Sequence, residues 1–195
     1  MSGVETSVSN VLLISSRRHV DSRGWFSETF KRPRLNQLGI ICEFPQDNQS
    51  WSRTRGTIRG LHFQRPPSAQ AKLIACVRGR VLDVVVDVRV GSPSFGRSLA
   101  VELTDAGEQL FVPVGFAHGF LTLTDDVIVS YKVSALYDPA LDAGLAWNDP
   151  DLGVDWPAPT GGPIVSDRDA ALPRLSALDS PFVYEGGGPL SLTMA

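Results

Sequence analysis

Apolar and polar positions alternate with a period of two through most of the chain. The clearest stretch is 80–90. Leu82, Val84, Val86, Val88 and Val90 point one way; Val81, Asp83, Val85, Asp87 and Arg89 point the other. One face is wholly aliphatic and the other carries two carboxylates. That pattern predicts a strand buried on one side and facing a polar cavity on the other. The alternative is a solvent-facing edge on which Asp87 pairs with Arg89. Segments 71–77, 99–103, 109–112 and 127–133 follow the same rule. Gly79, Gly91-Ser92-Pro93, Asp105-Ala106-Gly107 and Thr124-Asp125-Asp126 separate them, so turn signals recur every roughly 8 to 15 residues. Only 33–38, ended by Gly39, reads as a helix, and a short one. The pattern predicts an all-β fold, a cupin-type jelly roll: a double-stranded β-helix barrel with short helices.

The period weakens near Trp156-Pro157-Ala158-Pro159-Thr160-Gly161-Gly162-Pro163. A β core over about 10–157 is therefore expected, followed by a polar, turn-rich C-terminal arm over 158–195, all within one domain. The run Gly186-Gly187-Gly188-Pro189 marks a loose tail.

Composition narrows the function classes. Apolar residues make up 43% of the 195, enough for a sizeable core. Lys and Arg number 18 against 21 acidic residues, a net charge of -3. That balance argues against a general nucleic-acid binder, which needs a basic surplus to displace counterions. A local anion pocket remains compatible with it. Cys42 and Cys76 are too few for a disulfide framework or a zinc site, and their apolar settings predict buried free thiols. No secretory signal core is evident, and no run approaches the ~20 apolar residues of a membrane span, so a cytoplasmic protein is expected.

The three histidines are His19, His62 and His118. Each of the last two, taken singly, reads as a satisfied core residue. A metal-binding cupin wants a His-x-His pair with a nearby Glu. Position 64 is Gln64 and 65–71 contains no Glu, so no transition-metal site is expected.

Six ordered blocks carry a more specific signal. They are Arg59-Gly60-Leu61-His62-Phe63-Gln64, Ala69-Gln70-Ala71-Lys72, the strand from Gly79 to Arg89, Gly91-Ser92-Pro93-Ser94-Phe95-Gly96, Pro113-Val114-Gly115-Phe116-Ala117-His118-Gly119-Phe120, and Trp147-Asn148-Asp149-Pro150. Together, over about 14–169, they closely resemble the dTDP-4-dehydrorhamnose 3,5-epimerases. The resemblance implies a jelly-roll isomerase with no cofactor and no metal, acting on a dTDP-4-keto-6-deoxy sugar in deoxysugar biosynthesis. The C4 ketone acidifies the hydrogens on C3 and C5. Inversion then needs a base, a stabilised enolate oxygen and an acid on the opposite face.

By resemblance, His62 is the base and Asp169 the carboxylate that orients it, which implies that the arm folds back onto the barrel. Lys72 lies near the C4 oxygen and Tyr131 is the acid. Asp83 is expected close to Lys72, holding it in place. Arg23 and Arg59 match diphosphate contacts. Phe26, Glu28, Gln46, Asp47 and Asn48 match thymine and ribose contacts, Tyr137 an aromatic stacked on the base, and His118 a residue near the sugar and diphosphate. Two positions depart from the pattern: Asp142 replaces a common substrate-contacting Glu, and Arg168 replaces a Lys beside the catalytic carboxylate. Arg23 and Glu28 come from N-terminal strands that reach across a dimer in the family, so a homodimer with composite sites is implied. Three other readings stay open: a 3,4-ketoisomerase on the same sugar nucleotides, a metal-dependent cupin, and a non-catalytic sugar-nucleotide binding module. Which of C3 and C5 is inverted is not readable from residue identities.

Overall fold

The computed structural model describes residues 11–157, 159 and 161–186, and the backbone of 192–194. The glycine run at 187–189 and the first ten residues lie outside the described residues. The strands are β1 (Val11–Ser15), β2 (His19–Asp21), β3 (Gly24–Phe26), β4 (Gln46–Ser52), β5 (Ile58–Gln64), β6 (Lys72–Arg78), β7 (Arg80–Asp87), β8 (Ser98–Thr104), β9 (Glu108–Val112), β10 (Phe116–Thr122), β11 (Val127–Val133), β12 (Asp142–Gly144) and β13 (Leu192–Met194). One six-stranded sheet runs β13-β1-β9-β6-β11-β4 and one five-stranded sheet runs β12-β5-β10-β7-β8; β2 and β3 form a separate hairpin. Only β13 pairs in parallel; the other pairs of named strands are antiparallel. The two sheets pack face to face as the jelly roll that the alternation predicts.

Helix α1 (Arg32–Gln37) carries Pro33 in its first turn and stops before Gly39, whose φ of 80° an L side chain rarely adopts. Its Leu35 joins Leu12, Ile14, Ile40 and Leu73 on the outer face of the six-stranded sheet. Cys76 is buried and Cys42 half-buried, and both are free thiols.

The two faces of β7 divide the interior in an unexpected way. Val81 and Val85 meet Ile74, Leu110, Val127 and Val129 between the sheets, on the face that also carries Asp83. The wholly aliphatic face looks outward. There Val84, Val86 and Val88 pack with Leu61, Phe63, Leu145 and Phe182, so the arm covers it. Each fully buried valine contributes roughly 1.5–3 kcal/mol, which is why a turn-rich arm docks there. Asp87 does pair with Arg89, but in the interior rather than on a solvent-facing edge. Its carboxylate accepts bonds from Arg89, Ser92 and Ser94 and is fully buried.

One irregularity in β5 sets the geometry of the site. Against β10, His62 lies opposite His118, but Arg59 lies opposite Phe120, so β5 carries one extra residue between them. This β-bulge turns both Arg59 and His62 to the interior, although strict alternation would put them on opposite faces. Gly60 sits in it at φ 118°, and a Cβ there would meet Gly119 Cα at 2.6 Å and the His118 carbonyl oxygen at 2.8 Å. Gly60→Ala is expected to destabilise the protein by about 2–4 kcal/mol in urea unfolding. Gly91→Ala also takes a positive φ but meets nothing within 4 Å; it is expected to cost only about 1 kcal/mol.

Candidate active site

A cavity of about 420 Å³ opens between the two sheets. The five-stranded sheet lines it with Arg59, His62 and His118, and the six-stranded sheet with Gln46, Asn48, Lys72 and Tyr131. Tyr137, Asp142, Arg168 and Asp169 complete it from the β11–β12 connection, β12 and the arm.

His62 Nε2 lies 2.7 Å from Asp169 Oδ1. The same carboxylate accepts the Gly60 backbone N–H at 3.0 Å through Oδ2. Asp169 belongs to helix α2 (Asp167–Ala170), whose N-cap Ser166 accepts the Asp169 N–H at 3.1 Å. The bulge and the histidine therefore fix the carboxylate, and the cap fixes the backbone that carries it. Burial alone raises the Asp169 pKa, but the bonds from His62 and Gly60 outweigh it and hold the group ionised. With Nε2 committed, Nδ1 is the imidazole nitrogen left to take a proton.

Lys72 opens β6 on the other sheet, and its Nζ donates to the His62 carbonyl oxygen at 3.2 Å. Burial pulls its pKa from 10.5 to about 8, against the charges of Asp142 and Asp83, which raise it. Tyr131 sits on β11 between Asn48 and Ile74, partly buried and packed against the inter-sheet core. Burial raises its pKa, Arg59 opposes and Asp142 reinforces, so it is a phenol at neutral pH. A base-like imidazole, an ammonium and a phenol thus share one pocket, the first on one sheet and the other two on the opposing sheet.

Around them the polar side chains are pre-set. Arg59 is anchored by bonds to Ser52 Oγ at 3.1 Å and the Trp51 carbonyl oxygen at 3.0 Å. Gln46 donates to Asn48 at 2.8 Å and accepts the Tyr137 N–H at 2.8 Å. Asp142 accepts the Tyr137 hydroxyl at 2.9 Å and an ion pair from Arg168, tying arm, β12 and the β11–β12 connection together at the rim.

Five expected residues do not line the cavity. Asp83 stands behind it and bonds His118 Nε2 at 2.9 Å, both side chains being buried. It therefore holds His118, while only its charge reaches Lys72, whose bond goes to the His62 carbonyl. Asp47 points to the outer face of β4, because alternation separates it from Gln46 and Asn48, and it pairs with Lys132 at 2.8 Å. Arg23, Phe26 and Glu28 lie on or just after the β2–β3 hairpin. Arg23 bonds Asp21, Glu28 bonds Lys31, and Phe26 is 66% exposed.

The sequence reading missed Ser50, Gln64 and Gln70 as lining residues. Ser50 was legible in principle, two residues on from Asn48 in the same parity. Gln64 was not, because its role depends on a distant loop. It accepts the Asp138 N–H at 2.8 Å and donates to the Leu136 carbonyl at 2.9 Å, holding the connection that carries Tyr137. Gln70 clamps the same connection through the Ala135 carbonyl at 2.8 Å. Among the described residues, no cluster of three or more His, Cys, Asp or Glu is placed to ligate a metal ion.

Fold and site together describe a jelly-roll protein with an acid–base pocket between its sheets. A family model described as dTDP-4-dehydrorhamnose 3,5-epimerase matches residues 5–177. A dTDP-4-dehydrorhamnose 3,5-epimerase from Sinorhizobium fredii is 46% identical over 183 residues, 91% of each chain. The structure of dTDP-6-deoxy-D-glucose-3,5-epimerase from Legionella pneumophila, in complex with dTDP-4-keto-L-rhamnose, superposes with a TM-score of 0.88 at 35% identity, covering 95% of this chain and 99% of that one. A 3'-monoepimerase from Streptomyces bikiniensis with dTDP-quinovose gives 0.80 at 38% identity, covering 90% and 88%. The chain belongs to the dTDP-4-dehydrorhamnose 3,5-epimerase family.

The depressed Lys72 pKa has a thermodynamic consequence. Between about pH 8 and 10.5 the unfolded chain binds this proton more tightly than the folded one, so the Lys72 contribution to stability rises with pH there. Below pH 8 the buried ammonium costs on the order of 3 kcal/mol. Lys72→Met is expected to raise the thermal midpoint at pH 7 and to remove that alkaline rise, measured by calorimetry from pH 7 to 10.

Proposed function

We propose that the protein is an isomerase that inverts C3, C5 or both of a dTDP-4-keto-6-deoxyhexose, with barrel and arm acting as one catalytic unit. His62 Nδ1 removes the proton beside the ketone, and the C–H electron pair moves into an enolate. The Lys72 ammonium offsets the charge developing on the C4 oxygen, worth about 2–4 kcal/mol. Tyr131 then gives its hydroxyl proton to the other face of the carbon, and both groups re-equilibrate with solvent. Arg59 and His118 hold the diphosphate side, and Tyr137 stacks on the base. The carrying observation is that the carboxylate-bound His62 and the phenolic Tyr131 belong to opposing sheets of one cavity. Proton removal and return from two sides require that opposition. No described helix is long and apolar enough to cross a membrane. A cytoplasmic enzyme fits this, as do the two free thiols.

The protein works as a homodimer in which the β2–β3 hairpin serves the partner's cavity. Support comes from that hairpin: Val20, Trp25 and Phe26 are each more than half exposed, next to Arg23, which is free of the cavity of its own chain. An apolar, arginine-bearing hairpin is suited to another surface.

Incubation with dTDP-4-keto-6-deoxyglucose in D2O, read by NMR, tests the chemistry. His62→Asn is expected to lose deuterium incorporation at the sugar carbons, with the rate falling on the order of 10²–10⁴-fold. Tyr131→Phe is expected to keep exchange while losing net inversion. Full exchange by His62→Asn refutes the base. Mixing tests the dimer. Arg23→Ala and His62→Asn proteins, each impaired alone, are expected to recover up to about a quarter of wild-type activity when unfolded and refolded together, because mixed dimers contain one intact site.

A further inference from the structure

Strand β1 leaves the six-stranded sheet at Ser15, opposite Glu108 and beside the β8–β9 turn, whereas Lys72 pairs with Val112 at the other end of β9. The β2–β3 hairpin thus starts at the opposite end of that strand from Lys72. Among the described residues, no hairpin residue joins a buried core cluster, and the Asp21–Arg23 bonds are internal to the hairpin. The side chain that ties the hairpin to its own barrel is Arg18, just ahead of β2. Its guanidinium carbon lies 3.9 Å from the centre of the Trp25 ring. Its Nη2 donates to the Asp105 carbonyl oxygen in the β8–β9 turn. Its Nε is closed to solvent and unbonded, so the group is enclosed between ring and turn. A guanidinium suits this position, because one planar face stacks on an indole while an edge N–H reaches a carbonyl. Trp25 lies opposite Val20, and Phe26 opposite His19. Alternation puts the two pairs on opposite faces of the hairpin. The clamp takes the Trp25 face, which leaves the Phe26 face and the turn that carries Arg23 to project.

We propose that Arg18 is a positioning residue: by clamping the Trp25 face of the hairpin to the β8–β9 turn, it aims Arg23 and Phe26 at the partner's cavity. The inference rests on the reading of the protein as a homodimer with composite sites. A two-stranded hairpin on its own is marginally stable in water. Held in one orientation beforehand, it has less freedom to lose when partner and nucleotide bind, so affinity is retained. Arg18 does not line the cavity of its own chain. Loss of the clamp therefore weakens nucleotide binding and leaves the proton chemistry at His62 intact.

Arg18→Ala and Arg18→Lys are compared with wild type and Arg23→Ala by steady-state kinetics and by amide hydrogen exchange of the hairpin. In Arg18→Ala the hairpin amides are expected to exchange about 10-fold faster and KM to rise about 5- to 30-fold, with kcat within about twofold of wild type. Arg18→Lys keeps the charge but not the planar stack, so it is expected to fall between; it carries the same comparison if Arg18→Ala does not fold. Wild-type hairpin exchange or wild-type KM in the Arg18 variants, while Arg23→Ala raises KM, overturns the inference alone. A fall in kcat with unchanged KM also overturns it, because Arg18 then acts on the chemistry rather than on nucleotide binding. A wild-type KM in Arg23→Ala overturns the composite site, and the inference with it.

Discussion

The Asp169 carboxylate is the junction on which the arrangement depends. It joins the arm to β5, fills the donor that the bulge exposes at Gly60, and gives His62 a fixed orientation. Each of these roles uses an oxygen of the same group, and the capping bond from Ser166 holds its backbone. A buried carboxylate with fewer bonds would tend to protonate. Here the bonds win over burial, so the negative charge persists beside the imidazole. The same contact docks the helix that closes that side of the cavity.

The opposing wall works by the reverse imbalance. At Lys72 burial wins over the neighbouring carboxylates and lowers the pKa, leaving an ammonium that is poorly solvated in the empty pocket. At Tyr131 burial favours the neutral phenol. The cavity therefore holds a carboxylate-bound imidazole on one sheet and two proton-bearing groups on the other. Their separation follows from the double-sheet architecture, because side chains from two inner faces converge although β5 neighbours neither β6 nor β11. The Asp83–His118 pair repeats the carboxylate–imidazole theme in the same sheet, with the fully buried Asp83 bonded to the cavity-lining His118.

The rim is assembled differently. Tyr137 and Asp142 lie on or next to an irregular connection whose backbone is held by Gln46, Gln64 and Gln70. Neutral amides can donate and accept at once, so each glutamine fixes backbone groups without adding charge at the rim of the pocket. Arg168 then ties the arm to Asp142. Asp142 and Arg168, the two positions at which the resemblance implied a departure, meet directly.

Alternation in the sequence was enough to determine β6 to β9 and β11, their limits to within a few residues, and the all-β class, because a two-residue period has one structural meaning wherever a face is buried. Gln46, Asn48 and Tyr131 were legible as pocket residues only through the family resemblance; parity alone would assign Tyr131 to the core with Val127, Val129 and Val133. Tertiary structure decided what parity does not encode. The bulge at Gly60 reversed the expected relation of Arg59 to His62. The arm, polar in composition, covered the aliphatic face of β7 and left the carboxylate-bearing face as the inner one. Asp83 chose His118 over Lys72 because the cross-strand diagonal brought the imidazole nearer. These outcomes rest on contacts between segments 35 to 109 residues apart, as in Asp83–His118 and Gly60–Asp169. Local pattern fixes which way a side chain points, but only the folded chain decides what it meets there.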